Sequence, residues 1–147
     1  MTLRVMHIAE LGLRVMDLPR AVAFYQEVLG LEIVRAYPTI VFLKVGELDS
    51  PLGHGGHPQL LVLFDRKVKL DIALTTVDHF AFEIPLAQYA TERERLQQMG
   101  LELTERIWQG EYAWLRARSV FFDDPDGNTI ELIAHDPNAA TNEMESN

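Results

Sequence analysis

The sequence predicts an α+β fold of two βαβββ modules, whose curved mixed sheets enclose a shared cleft. Three observations carry that expectation. First, residues 10–32 and 79–102 run in parallel. Each opens on alternating residues, passes a proline into a helical pattern and closes on a glycine, in Leu29-Gly30-Leu31-Glu32 and Met99-Gly100-Leu101-Glu102. Glu10 precedes Gly30 by 20 residues and His79 precedes Gly100 by 21, so one supersecondary unit recurs about 70 residues on. Second, the segments flanking each helical pattern have a period of two, the mark of half-buried strands. Third, Asp124-Pro125-Asp126-Gly127-Asn128 is a turn signal, with proline pre-setting φ and glycine tolerating positive φ, so the last two strands form a hairpin.

The first module is expected over about 7–65. In residues 8–15 the odd positions Ala9, Leu11, Leu13 and Val15 are apolar, which reads as a strand. Asp17 suits an N-cap and Pro19 the first helical turn, where its missing N–H costs nothing. Val22, Tyr25, Val28 and Leu29 form the helical stripe, and Gly30 stops it. Strands then fit 31–36, 39–46 and 59–65, with a turn-rich loop before the last. A connector covers 66–76.

The second module is expected over about 77–136. Phe80, Phe82 and Ile84 alternate within a strand at 78–84. A helix over 86–99 carries the stripe Leu86, Tyr89, Leu96 and Met99, and Gly100 ends it. Strands fit 101–108, 112–122 and 128–135. Residues 137–147 lack apolar periodicity and read as a flexible tail.

Composition narrows the chemistry. The 147 residues include no cysteine, so thiol nucleophiles, disulfides and cysteine-ligated metals are excluded. The net charge of −9 arises wholly in residues 73–147, and no basic cluster suits nucleic acid or an anionic membrane. No apolar stretch has the length of a signal-peptide core or a membrane span, which reads as a cytoplasmic protein.

Strand parity then becomes chemical. If the apolar sets face the helices, Glu10, His79 and Glu131 project from three strands onto the opposite, concave surface. Two carboxylates and one imidazole balance a divalent cation and leave coordination positions for substrate. Their hardness favours Mn²⁺, Fe²⁺ or Mg²⁺, with Zn²⁺ and Ni²⁺ also compatible. A hydrogen-bonded structural histidine beside two solvated glutamates fits the same pattern.

The segments DLPRAVAFYQEVLGLE at 17–32, VDHFAFEI at 77–84 and SVFFDDPDGNTIELI at 119–133 resemble the vicinal oxygen chelate superfamily. That group includes glyoxalase I, extradiol dioxygenases, fosfomycin-resistance enzymes and bleomycin-binding proteins. The resemblance covers about residues 7–136 and implies one glyoxalase-like domain over 1–136. It implies metal ligation by His79 and Glu131, which stand in matching motifs. The third ligand place, most often histidine, holds Glu10, either a ligand or a general base. The fourth place of four-ligand members holds Val62, which cannot coordinate; this counts against glyoxalase I activity. The resemblance also implies a homodimer, in some members with exchanged modules.

Tyr112, Trp114, Arg116 and Arg118 are expected on one strand face, as an aromatic wall for an anionic or aromatic substrate or as a cation–π stack on an exposed face. His54 and His57 lie in a glycine-rich loop, His7 has the parity opposite to Glu10, and His135 shares that of Glu131. The expected function is divalent-metal isomerase, lyase or dioxygenase chemistry on a small oxygen-chelating substrate. The alternative is a metal-free, drug-sequestering protein.

Overall fold

Alternation at the head of the first module becomes strand β1, Glu10–Val15, with Leu13 and Val15 buried and Glu10, Gly12 and Arg14 exposed. The computed structural model describes residues 8, 10–46, 59–65, 77–109, 113 and 115–139. His7, His54, His57, Tyr112, Trp114, the connector 66–76 and residues 140–147 lie outside them.

Helix α1, Leu18–Leu29, starts where the sequence placed its signals. Asp17 accepts a hydrogen bond from the Arg20 amide at 3.0 Å. Gly30 takes φ 66° at the C-terminal end, and its N–H donates to the Gln26 carbonyl. That left-handed conformation is one a glycine adopts freely. The buried face is Leu18, Ala21, Tyr25 and Val28. It is turned slightly from the expected stripe, because Val22 and Leu29 are only half-buried. Strands β2 (Glu32–Tyr37), β3 (Ile40–Val45) and β4 (Gln59–Asp65) complete the unit. The sheet order is β1-β4-β3-β2, with β1 parallel to β4 and the other pairs antiparallel.

The second unit repeats this plan with β5 (Phe80–Glu83), α2 (Leu86–Gln98), β6 (Thr104–Ile107), β7 (Ala117–Asp123) and β8 (Thr129–His135). Its order is β5-β8-β7-β6, with β5 parallel to β8. Each unit is therefore a mixed four-stranded sheet with one helix, the βαβββ module expected from the repeat. The division between units falls after Leu70. Tyr25, Leu43, Leu61 and Leu63 anchor the first core, and Leu96, Val120 and Ile130 the second.

The β7–β8 hairpin turns where the DPDGN signal placed it. Asp124 Oδ1 accepts from the amides of Asp126 and Asn128, and Oδ2 accepts from the Asn128 side chain, at 2.8–2.9 Å. One expectation is corrected here. The strand read over 112–122 begins only at Ala117. Arg116 has φ 45° and its amide donates to the Ala113 carbonyl, so a turn interrupts the period-two count.

Candidate metal centre

β8 is the second strand of its sheet, flanked by β5 and β7. Its Glu131 lies opposite Ala81 on one side and Phe121 on the other. Neighbours across a ladder share a face, so Glu131 is on the face that also presents Ser119 and Phe121. The Glu131 carboxylate is only 4% exposed. A carboxylate withdrawn from water that far requires hydrogen bonds or a cation.

Its two oxygens have different partners. Oε1 accepts from the Ser119 hydroxyl at 2.5 Å, and Oε2 lies 3.2 Å from His79 Nε2. His79, just before β5, is about one-third exposed and packs edge-on against Phe121. Its Nδ1 lies 2.7 Å from Asp78 Oδ2. A ring nitrogen facing a carboxylate at that distance donates its proton, which leaves Nε2 as the nitrogen that faces Glu131 Oε2. A cation between Nε2 and the carboxylate satisfies that contact, either a second ring proton or a metal ion. A carboxylate on the far nitrogen of a ligating imidazole is the usual support of a metal-bound histidine. Two donors 3.2 Å apart match neighbouring ligands of one ion at about 2.1 Å each. Among the described residues, no three His, Asp or Glu side chains cluster as a complete metal set.

The supporting groups were not singled out in the sequence. Ser119 is fully buried and takes three contacts. Its Oγ donates to Glu131 and accepts from Trp108 Nε1 at 2.9 Å, and its backbone carbonyl accepts from the Tyr89 hydroxyl at 2.9 Å. Burial first, and the nearby Glu105 charge second, push the Tyr89 phenol up to about 12. The alternation of Thr104, Arg106 and Trp108 on β6 and just beyond it could have signalled the Trp108 contact, since Arg106 pairs with Ser119. Arg106 sits 4.9 Å over the Trp108 ring and has no ion-pair partner among the described residues.

The other described residues with expected site roles are placed here within their own units. Arg118 is opposite Ala134, on the α2 side of the sheet. It is held by Asp136 at 2.8–3.0 Å and stacks 5.7 Å over Tyr89 of α2. Arg116 stands in the turn before β7, so Arg116 and Arg118 do not share a continuous strand face, and Tyr112 and Trp114 lie outside the described residues. Glu10 is exposed on β1, opposite Leu60. Val62 is buried on β4, between Gly12 and Phe42. His135 makes only a loose 3.9 Å contact with Glu83.

A family model described as the Glyoxalase/Bleomycin resistance protein/Dioxygenase superfamily matches residues 4–132. The chain belongs to this superfamily. A glyoxalase-superfamily relative from Serratia marcescens, named glutathione transferase FosA, is 28% identical over 122 residues, covering 83% of this chain and 76% of its own. Lactoylglutathione lyase from Agrobacterium tumefaciens is 26% identical with a TM-score of 0.61, covering 87% of this chain and 92% of its own. A glutamate-to-glutamine mutant of the fosfomycin resistance protein FosX from Listeria monocytogenes shares the fold at a TM-score of 0.66 and 20% identity, covering 97% of this chain and 100% of its own. That structure contains Mn(II) and 1S,2S-dihydroxypropylphosphonic acid. Among the described residues, no helix of this superfamily member is long and apolar enough to cross a membrane.

Proposed function

We propose that this superfamily member is a divalent-metal enzyme of the vicinal oxygen chelate type, with His79 and Glu131 as metal ligands. The facing Nε2 and Oε2 atoms, 3.2 Å apart, carry the reading. Each is oriented by a second group, Asp78 behind the histidine and Ser119 behind the glutamate. Glu10 is kept as third ligand or general base on the strength of the family resemblance. The Mn(II) in the FosX structure makes Mn²⁺ the first ion to test, with Fe²⁺, Mg²⁺, Zn²⁺ and Ni²⁺ as comparisons.

When bound, the ion supplies Lewis acidity to two adjacent substrate oxygens. The protein's own work is positional. Asp78 holds the His79 proton on Nδ1, so Nε2 remains an electron-pair donor. Ser119 holds Oε1, so Oε2 is the oxygen presented. Phe121, edge-on to His79, screens one side of the pair from water. Arg106 suits an anionic substrate group on the same sheet face. The reaction is of isomerase, lyase or dioxygenase type, and the fosfomycin-resistance relatives make small epoxides and phosphonates the first substrates to assay. A homodimer is carried forward with this reading, and sedimentation velocity tests it.

A second reading is a metal-free, small-molecule-sequestering protein. The buried Val62 and the two-donor set among the described residues favour it. Mn²⁺ titration by calorimetry separates the two. The enzyme reading expects one site per chain, weakened at least about 100-fold in His79→Ala and in Glu131→Ala, since loss of a direct ligand exceeds the roughly 10–100-fold loss of a supporting group. Equal, negligible binding of all five metals by wild type and both variants sinks the enzyme reading. Glu10→Ala, titrated beside them, shows a ligand if affinity falls and a base if only turnover falls.

A further inference from the structure

We infer that Trp108 and Ser119 form a one-way hydrogen-bond relay that positions Glu131 and thereby sets the metal affinity of the site. The inference rests on the metal reading above. Its direction follows from donor chemistry. An indole N–H can only donate, so in the 2.9 Å contact the Ser119 oxygen must accept. The hydroxyl has one hydrogen, and the geometry sends it to Glu131 Oε1. Glu131 Oε1 is thus assigned as an acceptor by a residue two contacts away, and Oε2 is left to face His79.

The relay is rigid at each link. Ser119 is 0% exposed, and Tyr89 fixes its backbone from the α2 side. Trp108 is tied to β7 by its amide, which donates to the Ala117 carbonyl at 3.0 Å, and is capped by Arg106. A buried acceptor with a single fixed donor has few alternative rotamers, so the chelating oxygen is preorganised. Without Trp108, the Ser119 oxygen loses the donor that fixes its lone pairs, and the hydroxyl gains rotational freedom. Without Ser119, Glu131 Oε1 has no partner among the described residues, and the carboxylate gains freedom to turn both oxygens towards His79.

The test is a double-mutant cycle read by Mn²⁺ calorimetry on the full chain. Ser119→Ala is expected to weaken binding about 10–100-fold, the usual range for a supporting group. Trp108→Phe is expected to weaken it by a smaller factor, about 3–10-fold, because it removes only the ordering of the hydroxyl. In a Ser119→Ala background, Trp108→Phe is expected to add nothing. A spectroscopic reading complements the cycle. In Trp114→Phe protein the remaining tryptophan is Trp108, and its emission should shift as Mn²⁺ saturates the site. Mn²⁺ binding that is unchanged in both folded variants overturns the relay while leaving the metal reading intact. So does calorimetric saturation with no change in Trp108 emission, which needs no variant of the relay to fold. If wild type itself binds no metal, both readings fail together.

Discussion

Tyr89→Phe is the perturbation with the most closely defined outcome. The hydroxyl of Tyr89 donates to the Ser119 carbonyl at 2.9 Å in a buried position. Losing one such hydrogen bond costs about 0.5–1.5 kcal/mol. For a chain of this size, 1 kcal/mol lowers Tm by about 2–4 °C. The pH dependence is sharper. The folded phenol is raised from 10.0 to about 12, by burial first and the Glu105 charge second. Below pH 10 the phenol is protonated in both states, and its contribution is fully present. Above that, the unfolded chain ionises first, and stability is lost until the folded phenol also ionises near 12. Between pH 9 and 11 the wild type should therefore lose roughly 1 kcal/mol that Tyr89→Phe does not lose. The deficit of the variant, near 1 kcal/mol at pH 7, should close towards pH 11. Urea denaturation followed by far-UV circular dichroism at pH 7, 9, 10 and 11 measures it, with the other tyrosines common to both proteins. Parallel stability curves for the two proteins would refute the buried, proton-holding role of Tyr89.

Three further outcomes are expected. Gly30→Ala should cost about 1 kcal/mol by thermal unfolding, because φ 66° is strained for alanine while a Cβ there meets no atom within 4 Å. Asp124→Ala removes three hydrogen bonds from the β7–β8 turn and should cost about 2–3 kcal/mol, with faster hydrogen exchange at the Asp126 and Asn128 amides. Mn²⁺ at about a hundred times its Kd should stabilise the wild type by about 2.7 kcal/mol, and a chelator should reverse this without affecting His79→Ala.

Most of the fold was legible because its signals are local. Asp17, Pro19 and Gly30 bracket α1 by capping chemistry, and the DPDGN turn is closed by Asp124 side-chain bonds that need no distant partner. The repeat supplied the order of elements, and the two sheets share one strand order. The errors lie where backbone geometry overrides pattern. Alternation cannot reveal the positive φ at Arg116, which halts β7 at Ala117. Nor does a stripe on a helix say how far each end is covered, and both Leu86 and Met99 of the α2 stripe are exposed.

The site illustrates the same limit more sharply. Parity placed Glu131 on the face opposite the apolar residues Ile130, Leu132 and Ala134, and its Ser119 and His79 contacts are on that face. For the arginines the same rule named a face without saying which side of the sheet it was. Counted along β7, Arg118, Val120 and Phe122 share one side, and two of these are core residues. Arg118 is therefore a structural cation locked to Asp136, whereas Arg106 and Trp108 provide the aromatic–arginine pair on the Glu131 side. The two arginines should separate experimentally. Arg118→Ala strands the 8%-exposed Asp136 carboxylate and should lower stability by about 2–4 kcal/mol. Arg106→Ala, at an exposed position, should leave stability within about 0.5 kcal/mol. Under the proposed function, with Mn²⁺ present, it should instead weaken binding of a small phosphonate by about tenfold, the effect of losing one charge-assisted hydrogen bond to an anion. The reverse assignment, with Arg118 governing the ligand and Arg106 the fold, would show that the register of β7 has been misread.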